Sequence, residues 1–92
     1  MIVRILGEGQ FEVEGSLADR LNAIDNKIVE HVNKGNQKEF KKDLARLIST
    51  IKEKGEPIDP VDIVPSDIIV PPEDLTLEEA RKVFRGEGLI ED

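Results

Sequence analysis

Two amphipathic stretches separated by a single glycine constrain this chain more than anything else in it. "SLADRLNAIDNKIVEHVNKG" sets Leu17, Leu21, Ile24, Ile28 and Val32 at spacings of four and three, one apolar stripe along a helix. Ser16 is placed to cap it, with Asp19 three residues on as a short stand-in for a capping-box glutamate. Gly35 stops it in the left-handed conformation that closes many helices. Asn36 then opens a second helix at once, with Glu39 in the capping-box place, and Phe40, Leu44, Leu47, Ile48 and Ile51 form its stripe. Gly55 and Pro57 end it. Helices over about 17–34 and 37–54 with so short a connection must lie antiparallel, an αα-hairpin with arms of roughly 27 Å at about 1.5 Å per residue.

The chain before this hairpin reads as strand. "IVRILGEGQFEV" predicts a β-hairpin over residues 2–14. A three-residue loop, Gly7-Glu8-Gly9, sets Ile5 opposite Phe11, Val3 opposite Val13 and Arg4 opposite Glu12, with Gly9 left-handed. That arrangement gathers the apolar side chains on one face. A glycine pair between two strands is a turn; a dinucleotide fingerprint needs a longer glycine pattern that opens a helix.

All five prolines fall between residues 57 and 72. Proline fixes φ and has no amide hydrogen, so residues 55–75 are expected to be extended and partly strand-free. Ile58, Val61, Ile63, Val64, Ile68, Ile69 and Val70 make the segment too apolar for a solvated linker. Asp67 to Val70, bracketed by prolines, is its one plausible strand, and it can supply the third strand that a lone hairpin needs. If alternation buries Ile69, then Ile68 and Val70 face the other way, or the reverse. Thr76 caps a short last helix over about 77–85, with Glu79 in the capping-box place and Leu77, Ala80, Val83 and Phe84 inward. Gly86 and Gly88 end it, leaving a short tail. The expectation is one α+β domain over residues 1–92: β-hairpin, αα-hairpin, proline-framed third strand and short C-terminal helix.

Composition excludes several functions. There is no cysteine, so disulfides, thiolate zinc sites and cysteine nucleophiles are ruled out. There is no Trp or Tyr, and the net charge is −7, which opposes non-specific binding to nucleic acid or to an anionic lipid surface. No stretch approaches the roughly 20 apolar residues of a membrane span, and no signal-peptide pattern opens the chain. A cytoplasmic protein is expected. Charge is unevenly placed: residues 34–54 carry seven bases and three acids, whereas residues 55–92 carry three bases and eleven acids. The basic second helix reads as a solvated face, or alternatively as a phosphate or headgroup patch.

Nothing in the sequence looks like an active site. Glu73, Asp74, Glu78 and Glu79 lack the ligand spacing of a calcium loop and suit the first turn of a helix. A small metal-dependent hydrolase would require those acids to converge. His31 is the only histidine and sits at the flank of the first stripe, a boundary position. Ser66 lacks the glycine-framed elbow that presents a nucleophile and suits a local turn. No cofactor is expected.

The stretch Val64-Pro65-Ser66-Asp67-Ile68-Ile69-Val70-Pro71-Pro72, preceded by Ile63 and followed by Thr76-Leu77-Glu78-Glu79-Ala80-Arg81, resembles the signature of the phage-shock-protein-A-associated (PspAA) family. The opening "MIVRILGEGQFEV", the set Leu21, Asn22, Ile24 and Asp25, and the terminal "GEGLI" resemble that family in the same order, so the similarity spans the whole chain. It departs most in the highly charged second helix. The resemblance implies a small cytoplasmic domain without catalytic residues. It also implies association with the coiled-coil phage shock protein A, and contact with the inner face of the membrane only through that partner. Two surfaces are candidates for docking: the αα-hairpin, and the segment Pro65, Ser66, Asp67, Ile68, Ile69, Val70, Pro71 and Pro72. The alternative is a homo-oligomer that uses the same surfaces and has no separate ligand.

Overall fold

Gly35 turns the chain between the two long helices with φ +70°. The computed structural model describes residues 1–62 and 64–84. Helix α1 spans Gly15–Asn33 and α2 spans Gln37–Lys54. The Gly35 N–H donates to the Val32 carbonyl and the Asn36 N–H to the His31 carbonyl, the paired bonds of a Schellman ending. Asn36 also starts α2, because its side chain accepts from the Glu39 N–H. One residue therefore closes one helix and opens the next. Its own N–H is committed to His31, so the expected reciprocal bond from Glu39 is replaced.

Helix α1 begins earlier than expected. Its N-cap is Glu14, with no side-chain cap, and Ser16 lies exposed within the first turn. The reason is backbone: the Leu17 and Ala18 N–H groups both reach the Glu14 carbonyl, so the helix starts as soon as the preceding strand ends.

Strand β1 (Ile2–Ile5) pairs antiparallel with β2 (Gly9–Glu12). The register differs from expectation: Val3 faces Phe11, Arg4 faces Gln10 and Ile5 faces Gly9. Gly7 and Gly9 both have positive φ, and the Glu8 N–H closes on the Ile5 carbonyl, so the turn is centred one residue earlier. That slides the pairing by two residues, which preserves the faces. Val3, Ile5, Phe11 and Val13 are all buried, but Arg4 meets Gln10 rather than Glu12.

Two further strands complete a sheet of order β3-β2-β1-β4. The two-residue β3 (Glu56–Pro57) pairs with β2 and was not expected; Pro57 is tolerated because it lies on the edge. The proline-framed strand is thus β4 (Ile68–Val70), and it runs parallel to β1 on the opposite edge. The inner face of the sheet and the helical hairpin share one core, mostly aliphatic with Phe11, Phe40 and Phe84 in it. At the far end of the hairpin, α3 (Leu77–Val83) packs against α1, and Phe84 meets Phe40 edge-on at 6.3 Å. Val83 is exposed, contrary to expectation, because Phe84 takes the inward position. The expected stop at Gly86 and Gly88 and the tail lie outside the described residues.

His31 bridges the hairpin, its Nδ1 2.5 Å from Oδ2 of the largely buried Asp43. The capping box at Thr76 is complete: the Thr76 hydroxyl accepts from the Glu79 N–H, and the Glu79 carboxylate accepts from the Thr76 N–H and hydroxyl. Those bonds to Thr76 hold the Glu79 carboxyl below its ordinary value. A depressed carboxyl stabilises the fold above its unfolded value and stops doing so as pH falls through its folded one. Replacing Thr76 by Ala is therefore expected to lower the melting temperature by about 5 °C near neutral pH. The difference from the parent narrows in acid. A thermal melt series from pH 7 to 3 checks this, and a difference that widens in acid would contradict the capping role.

Candidate interaction surface

The proline-framed segment enters the sheet through a polar clamp. The Ile2 N–H donates to Asp67 Oδ2 at 2.7 Å, and the Asp67 N–H donates back to the Ile2 carbonyl at 2.8 Å. Gln10 Nε2 reaches both the Val64 carbonyl (2.7 Å) and Ser66 Oγ (2.8 Å). Ser66 and Asp67 are thus engaged in fixing where β4 begins. Beyond the clamp, Val3 faces Ile68 and Ile5 faces Val70, so Ile68 and Val70 turn toward the core. Val70 and Pro71 are buried, Ile68 and Pro72 half-buried.

Ile69 faces the other way, beside Arg4, and is 53 % exposed. The Leu6 N–H bonds to the Val70 carbonyl, so the backbone groups of Val70 point at β1. Alternation along the strand then turns those of Ile69 outward. Among the described residues no strand lies beyond β4. Leu6, at the end of β1, is 46 % exposed. Of the eight residues singled out in the sequence, then, Pro65, Asp67 and Ile69 are exposed. Only Ile68–Val70 of the segment form the edge strand, and most of its residues hold the sheet together.

The same outer face carries a cleft of about 420 Å³ between the sheet and the loop that follows β3. Arg4, Gln10, Ile58, Pro60 and Val64 help line it. The loop is folded on itself: Asp59 accepts the Asp62 N–H on its carbonyl and the Val61 N–H on its side chain. This turn presents Val61, 80 % exposed, at its tip. Leu6 and Val61 were not singled out in the sequence as surface residues. No periodic signal marks them, since each belongs to a turn.

A family model described as PspA-Associated protein matches residues 1–92. The chain belongs to that family. No curated protein and no solved structure matches it. The family match covers both the edge strand and the capped α3, so the segment flagged by its prolines sits inside the matched unit. Within the described part of this PspA-associated chain, no group of three His, Cys, Asp or Glu residues is placed to hold a metal ion. No described helix is long and apolar enough to cross a membrane.

Proposed function

We propose that this chain is a non-enzymatic interaction module that docks on a PspA-like coiled-coil protein, in the cytoplasm, through the β4 edge and the adjoining outer face of its sheet. The observation that carries this reading is the exposure of Ile69 on a strand whose other residues are fixed in the core or the clamp. An isoleucine more than half exposed on a free sheet edge is an aggregation liability unless something covers it. The prolines and the clamp keep that edge short and correctly registered, and Leu6 extends the apolar area beside it. The cleft next to Arg4 and Gln10 offers room for a side chain from the partner. The family's description supplies the partner class. Membrane contact, in this reading, is made by the partner.

The test is the solution mass of the purified chain, alone and mixed with a PspA homologue at about 0.15 M salt. A heavier mixed species is expected, and Ile69→Asp should abolish it. Because Ile69 points away from the core, that variant should keep its melting temperature within about 5 °C of the parent. If no mixed species forms at micromolar concentration, direct docking is wrong. If the chain self-associates and Ile69→Asp makes it monomeric, the same edge serves a homo-oligomer.

A further inference from the structure

The solvent face of α2 carries a basic strip, and we infer that it binds an acidic helical segment of a partner protein laid along it. At about 100° per residue, Lys38, Ala45 and Ser49 fall within roughly 20° of one line down the exposed side of α2. Lys41 and Lys52 flank that line on one side, Lys42 and Arg46 on the other. The small side chains of Ala45 and Ser49 lie on the midline between these longer cations over a length of about 21 Å, and the exposed Glu53 closes the Lys42–Arg46 flank at the C-terminal end of the helix. Two of these cations have acidic neighbours: Lys52 meets Glu8 at 2.8 Å and Lys42 lies 3.8 Å from Glu39. Lys38, Lys41 and Arg46 form no ion pair among the described residues.

Length and charge choose the occupant. The exposed cations run in a straight strip along the helix, and acids spaced by three and four on a second helix laid beside it meet cations on both flanks. None of the exposed large hydrophobic residues, Leu6, Val61, Ile69 and Val83, lies on α2, so this face has nothing to insert into a lipid layer. A second copy of the chain does not supply the ligand from its described helices. The outer side of α1 mixes Asp19 and Glu30 with Arg20 and Lys27, and α3 is only seven residues long. The net charge of −7 adds orientation: an acidic partner is repelled by the molecule as a whole and attracted at this strip.

The inference rests on the reading that the chain docks on a helical protein, so its test omits that protein. The probe is a synthetic helix-stabilised peptide with glutamates at spacings of three and four, titrated into the isotopically labelled full chain and followed by amide shifts. Shifts are expected to concentrate on residues 37–54, with affinity falling about tenfold between roughly 0.05 and 0.3 M salt. Lys41→Glu with Arg46→Glu should weaken binding at least about tenfold at an unchanged melting temperature. Ala45→Phe, which raises bulk on the midline without touching a charge, should weaken it similarly. Equal binding of a proline-broken peptide of the same charge, or of vesicles one-third anionic, would overturn the helical ligand and leave a generic polyanion patch. Shifts centred elsewhere would overturn the site. None of these outcomes bears on the β4 edge, which the mixing experiment tests separately.

Discussion

Phe40→Ala is expected to cost about 4 kcal/mol of stability, read as a melting temperature lower by roughly 20 °C. Phe40 is fully buried at the start of α2, and its ring meets Phe84 edge-on. Truncation removes the transfer energy of a whole ring and leaves a void in the core. The edge-on pair adds about 1 kcal/mol beyond area. A chain of this length holds on the order of 5–14 kcal/mol in total, so this one change removes a large part of it. The damage should not be uniform. At seven residues, α3 is too short to be helical alone, and Phe84 is its inward anchor. Amide exchange in α3 should therefore accelerate more than exchange in the sheet. A loss below about 1.5 kcal/mol, or exchange that rises equally everywhere, would show that Phe40 does not hold α3 in place.

Gly55→Val is expected to cost about 3 kcal/mol, for a different reason. Gly55 joins α2 to β3 with φ −80°, a conformation open to any residue. What excludes a side chain is proximity: an added Cβ would stand 2.7 Å from the Ile51 carbonyl oxygen, 3.2 Å from Phe11 Cβ and 3.3 Å from the Glu12 carbonyl oxygen. Two of those atoms are backbone, so the helix end and the strand must move apart, and β3 pairs with β2 at this point. Gly55→Ala meets the same obstacle with less bulk and should cost about half as much. Urea unfolding of both variants checks the ordering. If alanine were neutral, the end of α2 would have room to shift, and the close approach would not be what selects glycine.

Gly55 shows where sequence and structure part. As a helix stop it was legible, because stripe and stop both follow from one-dimensional pattern. That it stands where a strand crosses the helix end was not, since nothing local encodes how near Phe11 comes. The turn of the αα-hairpin was legible because Gly35 and Asn36 have strong local reasons for their conformations, whereas the start of α1 at Gly15 was not. The β-hairpin gave its faces but not its register: Gly7 and Gly9 can each take a positive φ, and the choice between turn centres is energetic rather than patterned. Pairing β4 parallel to β1 was beyond reach of the pattern, because those residues are some 65 positions apart. The candidate surface suffered the same loss. Eight consecutive residues looked alike in their promise. Only the direction set by β1 separates Ile69, which faces outward, from Ile68 and Val70, which hold the core.

That parallel pairing also sets an order of events during synthesis. β1 is made first and occupies an interior position of the sheet, yet its second neighbour emerges from the ribosome only after both long helices have been made. The helical hairpin is closed by near-neighbour contacts and can form early, whereas joining β4 to β1 must close a loop of more than sixty residues. Until then one flank of β1 is bare, and the nascent chain carries an unfinished sheet beside a nearly finished pair of helices. A stalled or truncated product lacking residues 68–70 would therefore expose a sticky strand, and cellular quality control would meet it before any partner does.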